Sequence, residues 1–322
     1  MSPGLIVVGH CTIDDIHHAG GPELPETMGG AAAYATLGAA LVGGEVLLVT
    51  VIGDDYPLDK LRAGLAAGRA VVDTSHCRRV EGRSVHYDAW YTADGNRHFD
   101  VESWDRLEVL TPMPPDLPID AMLGGIVVLT PASIWQQEAL VEALAPVDCR
   151  IALDTEVHYF TDESLRQRLL ALAGKVDLFL PSIEHLQVLF DSKSDSVLDY
   201  APQLQQLGCP LVAVKSGSRG SVVLDLTSET IVTVPALEVD MVDATGAGDG
   251  YGGGFLAALG QGLGLDAAAA WGTVAASFVV ESVGASVPVH FSAALADARF
   301  ERLAPQIESS PFPVHDRRGA AQ

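Results

Sequence analysis

Asp243-Ala244-Thr245-Gly246-Ala247-Gly248-Asp249 runs straight into the glycine- and alanine-rich stretch from Gly250 to Leu263. Small residues let backbone N–H groups approach an anion, a helix is predicted to begin here, and Asp249 falls in its first turn. A helix N-terminus, with bare amides and a positive dipole end, attracts phosphate. A carboxylate beside it can take a proton from a hydroxyl as that hydroxyl meets a phosphoryl group. The alternative is a plain helix capped by Asp243 or Thr245, with glycines serving tight packing. An overlapping G-x-G-x-x-G, Gly248-Asp249-Gly250-Tyr251-Gly252-Gly253, is discounted as a dinucleotide fingerprint. Such a fingerprint closes the first strand of a βαβ unit, whereas its downstream acid here, Asp266, falls between two alanine-rich helical stretches.

Upstream of this stretch, apolar strand patterns alternate with helical ones. Strands are predicted at Leu5–Val8, Glu45–Ile52, Val71–Val72, Ile126–Leu129, Ile151–Leu153, Leu178–Leu180 and Leu211–Val214. Helices are predicted at Gly30–Val42, Leu58–Gly68, Ile134–Leu144, Ser164–Ala173, Ser182–Phe190, Gly248–Leu259 and Ala267–Val280. Ser221–Leu226 and Thr230–Val234 read as a hairpin. Repeated strand–helix units imply an α/β fold whose mostly parallel sheet is covered on both faces. Ligands on such sheets sit beyond the carboxyl ends of the strands, where Gly9, Asp154, Pro181 and Lys215 fall. Ser75 to Val101 breaks the alternation: polar residues alternate with Val, Tyr, Trp and Phe around a turn at Asp94-Gly95-Asn96, the signal of an antiparallel β element grafted on the core.

The 322 residues, 48% of them hydrophobic, suffice for one sizeable α/β core. The net charge of −23 opposes nucleic acid and anionic membranes as partners. Arg78, Arg79, Arg83, Arg97 and Arg106 crowd one stretch, either as an anion-facing flap or, more commonly, as exposed hairpin arginines. Cys11, Cys77, Cys149 and Cys209 show no metal or redox spacing and read as reduced thiols. No signal peptide or membrane span is read, so a cytoplasmic protein is expected.

Four stations fall in order: Gly9-His10-Cys11-Thr12-Ile13-Asp14, then Gly29-Gly30, then Lys215-Ser216-Gly217-Ser218-Arg219-Gly220, then Asp243 to Asp249. Together they resemble the ribokinase-like (PfkB) family of carbohydrate kinases over nearly the whole chain. The resemblance implies a ribokinase-like three-layer sandwich with a mostly parallel sheet and a small β lid. It places one kinase domain at 1–310, lid segments at about 11–28 and 75–103, and a polar tail at 311–322. It implies ATP and Mg²⁺ as cofactors. Asp249 matches the catalytic base, and Gly246, Ala247 and Gly248 match the anion hole. Lys215, Gly217, Gly220 and Thr245 fall at the nucleotide, although a simple hairpin turn would also want those glycines. Asp243 and Thr245 match a monovalent cation site, where potassium would bind, whose last ligands lie in the loop Gly284 to Pro288. Asp14 matches the acid that grips acceptor hydroxyls, with Asp15 as its neighbour and rival; Gly29, Gly30, Tyr34 and Arg97 complete the substrate side.

Two departures stand out. Tyr34 occupies the position of a ribokinase asparagine, and the family's metal motif, Asn-x-x-Glu after proline, reads Pro181-Ser182-Ile183-Glu184-His185. Glu184 is the weak Mg²⁺ candidate and His185 reads as a surface helix residue. Glu26 to Tyr34 with Gly9-His10 resembles the inositol-kinase branch, so a sugar or a cyclitol such as myo-inositol is the favoured acceptor. The alternative is a nucleoside kinase, which needs an aromatic wall that Trp90, Tyr91 and Trp104 could supply. A non-catalytic sugar or nucleotide sensor is the remote third reading. A homodimer paired through the lid is also expected.

Overall fold

The computed structural model describes residues 4–19, 23–91, 97–101 and 104–312. The chain opens with β1 (Leu5–Val8), β2 (Thr12–His18), β3 (Glu23–Gly29), α1 (Ala31–Val42), β4 (Gly44–Ile52), α2 (Leu58–Leu65) and β5 (Ala70–Arg79). Next come β6 (Val85–Tyr91), β7 (Arg97–Val101), α3 (Trp104–Leu110), α4 (Ile119–Met122), β8 (Ile126–Leu129), α5 (Ile134–Leu144) and β9 (Arg150–Leu153). They lead to α6 (Glu163–Ala173), β10 (Leu178–Phe179), α7 (Ile183–Leu189), α8 (Ala201–Leu207), β11 (Leu211–Lys215), β12 (Ser221–Asp225) and β13 (Thr230–Val234). Finally come α9 (Ala247–Gly260), α10 (Leu265–Val279), α11 (Ala293–Leu303) and β14 (Glu308–Pro311).

A ten-stranded sheet runs in the order β14-β13-β12-β11-β10-β9-β8-β1-β4-β5. It is parallel from β11 to β5, and β12, β13 and β14 join antiparallel at one edge. Leu5 and Val7 of β1 enter one core with residues of α1, α9 and α10; Ile6 and Val8 enter the other with residues of α5, α6 and α7. Alternate residues of a doubly covered strand face opposite layers, so its sequence reads as an unbroken apolar run.

Helices α1 and α9 meet backbone to backbone. A Cβ added to Gly253 would lie 1.8 Å from the Ala35 carbonyl oxygen, and one on Gly38 would lie 2.0 Å from that of Gly250. The packing explanation therefore accounts for part of the glycine run, and the close approach brings the start of α9 to the carboxyl side of the sheet.

The lid is a four-stranded sheet, β3-β2-β6-β7. Strands β2 and β6 pair in parallel and set Asp14 beside Tyr87 and His17 beside Trp90. The lid does not begin at residue 75: Ser75 to Arg79 complete β5, the edge of the large sheet. An edge strand with one solvated face alternates polar and apolar residues just as a lid strand does. The turn at 94–96 lies outside the described residues, as does the tail from 313 onward, and Pro311 itself pairs with Thr230 at the outer edge in β14. Among the described residues no helix is long and apolar enough to cross a membrane.

Candidate active site

Asp14, on the lid face opposite Asp15, is 6% exposed and accepts a hydrogen bond from Thr12 Oγ1 at 2.5 Å. A Cβ on Gly29 would lie 1.8 Å from Asp14 Oδ2, so only glycine leaves room for the carboxylate there. Burial pushes the Asp14 pKa to about 7; the Thr12 bond opposes this, while Asp243 and Asp15 add like charge. Asp15 Oδ1 instead accepts the Glu26 amide at 2.7 Å across the lid hairpin. Gly30 caps α1 against the His10–Thr12 backbone, where a Cβ would meet the His10 carbonyl at 2.6 Å.

Tyr34 is only 2% exposed, and its ring lies beneath Gly246, where a Cβ would fall 2.1 Å from Tyr34 Cγ. The Tyr34 ring thus packs directly against the loop that precedes α9. Gly246 precedes α9 in the left-handed region, φ 73°, which glycine adopts without a Cβ penalty. Ala247 N–H already donates to the Ala244 carbonyl at 3.2 Å, so it is engaged within the turn. Among the described residues the amides of Gly246 and Gly248 have no such acceptor. Asp249 is half-buried in the first turn of α9.

Lys215 closes β11, and its Nζ lies 2.8 and 2.7 Å from the two carboxylate oxygens of Asp154, just past β9. The pair rests against the bare face of α9: Cβ atoms on Gly248 and Gly252 would lie 3.6 Å from Lys215 Cδ and 3.7 Å from Asp154 Oδ2. The turn after β11 divides the two readings of its glycines. Gly220 is demanded by the chain itself, since a Cβ there would lie 2.0 Å from the Val234 carbonyl oxygen. Gly217 faces open space, as a phosphate-approach residue would.

Asp243 Oδ1 accepts Thr245 N–H at 2.9 Å and Thr245 Oγ1–H at 2.7 Å. Its Oδ2 is buried with no hydrogen-bond partner among the described residues, an environment whose chemistry fits a monovalent cation. The loop expected to share that cation packs on the lid, with Ala285 N–H bonded to the Met28 carbonyl.

The degenerate metal motif has a structural use. Ser182 Oγ accepts His185 N–H at 3.3 Å, and His185 Nδ1 accepts Ser182 N–H at 3.1 Å, a reciprocal cap on α7. His185 is thus buried, edge-on to Phe160 at 6.0 Å, and not the surface residue expected. Glu184 is exposed, and no group of three or more His, Cys, Asp or Glu is assembled to hold a metal among the described residues.

Of the three aromatic residues weighed as a nucleoside wall, Trp90 alone has a described side chain. Trp90 is 47% exposed on the outer lid face and stacks on His17 at 3.9 Å, a cross-strand role. The side chains of Tyr91, Arg97 and Trp104 lie outside the described residues. The other stretch arginines hold chain segments together. Arg78 pairs with Asp116 at 2.6 Å, Arg79 binds the carbonyls of Gly53, Asp54 and Tyr56, and Arg106 binds those of Glu81 and Arg83.

Rings that sequence reasoning missed gather on the inner side. Tyr87 lies close to Tyr159, and burial pushes both phenols above their usual range, with Asp14 and Glu156 close enough to add to Tyr87. His158 adjoins Tyr159, ring centroids 4.1 Å apart. His10, 6% exposed at the end of β1, is driven to about pKa 4 by burial and by His158, so it is neutral. The polar–aromatic alternation of β6 signals Tyr87; nothing local signals Tyr159, which follows the strand-end acid Asp154 by five residues.

Comparison with known proteins follows the same lines. The model for the pfkB family carbohydrate kinases matches residues 3–291. A cytidine kinase from Thermococcus kodakarensis is 30% identical over 264 residues, 81% of this chain and 90% of that protein. An inositol 3-kinase from Arabidopsis thaliana is 25% identical over 285 residues, 87% of this chain and 74% of that protein. An E. coli protein described as a Ribokinase II, solved with ATP and Mg²⁺, shares the fold with a TM-score of 0.74 at 17% identity, covering 94% of this chain and all of that one.

Proposed function

We propose that this chain, which belongs to the pfkB family of carbohydrate kinases, uses ATP to phosphorylate a hydroxyl of a nucleoside. Transfer of a phosphoryl group to an alcohol is the activity of the family, with ATP and Mg²⁺ as its usual phosphoryl donor pair. The observation that carries the nucleoside reading is the likeness to a cytidine kinase across 81% of this chain and 90% of that protein. The acceptor side supports it. Tyr87 lies near Asp14, with Tyr159 beside it and His158 next to Tyr159, and a nucleobase stacks on such flat faces. A cyclitol presents hydroxyls all round and would ask for polar groups on every side. The cyclitol preference drawn from Glu26 to Tyr34 therefore yields to the nucleoside.

In this reading Asp14, flanked by Gly29 and Gly30, accepts hydrogen bonds from sugar hydroxyls, and the rings hold the base. Asp249 takes the proton of the attacking hydroxyl. The amides of Gly246 and Gly248 face the charge that develops on the transferring phosphoryl. Gly217 lets the nucleotide approach the turn after β11. Mg²⁺ arrives bound to ATP, with Glu184 reaching it at most through water. Asp243 and Thr245 hold a monovalent cation. The exposed edges of the lid, β3 and β7, suit pairing in a homodimer.

An ADP-release assay with Mg-ATP across cytidine, adenosine, ribose and myo-inositol tests the proposal. Turnover with a nucleoside at least tenfold above the others is expected. A myo-inositol or ribose preference would overturn it, and Tyr159→Ala should raise the nucleoside KM while sparing ATP.

A further inference from the structure

The mechanism above leaves one buried, bidentate charged pair, Asp154 with Lys215, without a task. Asp154 and Lys215 leave parallel strands β9 and β11, which flank the two-residue strand β10. Their side chains meet with both carboxylate oxygens within 2.8 Å of Nζ, at 5% and 12% side-chain exposure. The acid is held from below: Asp154 N–H donates to the Leu129 carbonyl, its own carbonyl accepts Gln137 Nε2 at 2.8 Å, and Thr155 N–H caps Oδ1 at 2.8 Å. The lysine backbone is tied to Pro181 at 2.9 Å. Both ends of the pair are therefore fixed by main chain.

Stability alone is a weak reason to keep such a pair, since a buried ion pair roughly breaks even against apolar residues of the same volume. Its position is informative. It lies at the carboxyl ends of parallel strands, where ligands bind, and it packs on the glycine face of α9. With no side chain at Gly248, the ammonium lies 3.7 Å from where that Cβ would be, next to the helix mouth whose Gly246 and Gly248 amides have no acceptor among the described residues.

We propose that Lys215 is a catalytic residue, its ammonium contacting the phosphoryl group in transit, and that Asp154 is the positioning residue that aims it. The proposal rests on the kinase reading but not on the identity of the acceptor. In the step, the acceptor oxygen bonds to the γ-phosphorus as the bond to the β,γ-bridging oxygen breaks. The hydroxyl proton goes to Asp249 and the bond's electron pair leaves with ADP. Lys215 donates hydrogen bonds to the equatorial oxygens and transfers no proton. Held by Asp154 in an ion pair, the positively charged ammonium stays poised beside the anion site until the polyphosphate arrives. Charge spread over those oxygens is the main thing a protein can stabilise in phosphoryl transfer.

Binding of Mg-ADP with and without aluminium fluoride, a planar phosphoryl mimic, tests this without an acceptor. Lys215→Met should bind ADP within about threefold of the wild type yet lose at least about 100-fold in affinity for the aluminium fluoride complex, and kcat should fall by a similar factor. Lys215→Arg should recover part of the loss. Asp154→Asn should lower kcat about tenfold with the KM for ATP nearly unchanged. If Lys215→Met leaves Asp154 buried alone and fails to fold, the Lys215→Met/Asp154→Asn double variant removes both charges and serves instead. Equal weakening of ADP and its aluminium fluoride complex would make Lys215 an ordinary nucleotide contact and overturn the proposal, as would wild-type affinity for the mimic. A wild type that binds the mimic tightly but turns over no nucleoside would refute the acceptor and leave the role of Lys215 standing.

Discussion

Gly246→Ala is the perturbation whose consequence the structure specifies most closely. At φ 73° an alanine sits in the left-handed region, at a cost of roughly 1–2 kcal/mol. Its Cβ would also fall 2.1 to 2.4 Å from Cγ, Cδ1 and Cδ2 of Tyr34, against a contact distance of about 3.5 Å. Tyr34 is buried between α1 and the loop and cannot swing out, so the overlap adds roughly 1–3 kcal/mol of overpacking. The total is roughly 2–5 kcal/mol. With about 2.1 cal/mol/K of unfolding entropy per residue, the 322-residue chain loses roughly 3–8 °C in Tm. Relief requires the loop to rise by about 1 Å, which displaces the Gly246 and Gly248 amides and the first turn holding Asp249. A displacement of that size costs on the order of 100-fold in kcat. The assay is steady-state ADP release with the preferred nucleoside, alongside thermal unfolding of both proteins. Adding Tyr34→Leu to Gly246→Ala should recover about tenfold of the rate, because the smaller side chain removes the overlap but not the backbone strain. A Gly246→Ala protein with near-wild-type kcat and Tm would refute both the packing reading and the role given to the loop.

Asp14→Asn tests the acceptor grip through pH. The Asp14 pKa of about 7 lies above its unfolded value of 3.8, so the folded state holds the proton longer. Its contribution favours folding below about pH 4, is lost as pH rises towards 7, and is flat above, a swing of up to about 4 kcal/mol. At pH 8, with no acceptor bound, Asp14→Asn should therefore be more stable than the wild type in denaturant titrations, with the gap closing by pH 4. Wild-type acceptor affinity should weaken as pH falls through 7, and the variant should bind the nucleoside at least tenfold more weakly at pH 8. Asp249→Asn should bind ATP and nucleoside normally yet lose roughly 10²–10⁴-fold in kcat, as expected when a general base is removed; single-turnover rates near wild type would exclude Asp249 as the base.

The four stations, the α/β alternation, the edge hairpin and the helix that starts at Ala247 were legible in the amino-acid order. Each is a local property: a strand run, a helical period or a turn residue declares itself within ten or so positions. Other features misled because one pattern serves two structures. Ser75–Arg79 alternates as a lid strand would but forms the edge of the main sheet, and Ser182 with His185 looks like a failed metal motif but is a helix cap. Strands β2 and β3 carry charged and histidine residues with no apolar period to mark them. Tertiary structure alone decided which side chains meet. Lys215 and Asp154 are 61 residues apart and come together because β9 and β11 flank the short β10. Tyr87 comes close to Tyr159 because β6 pairs with β2 within the lid and sets Tyr87 beside Asp14. Tyr34 lies under Gly246 because glycines let α1 and α9 touch. Periodicity tells which face of an element is buried but not which element lies against it, and strand order and helix packing supply that second fact.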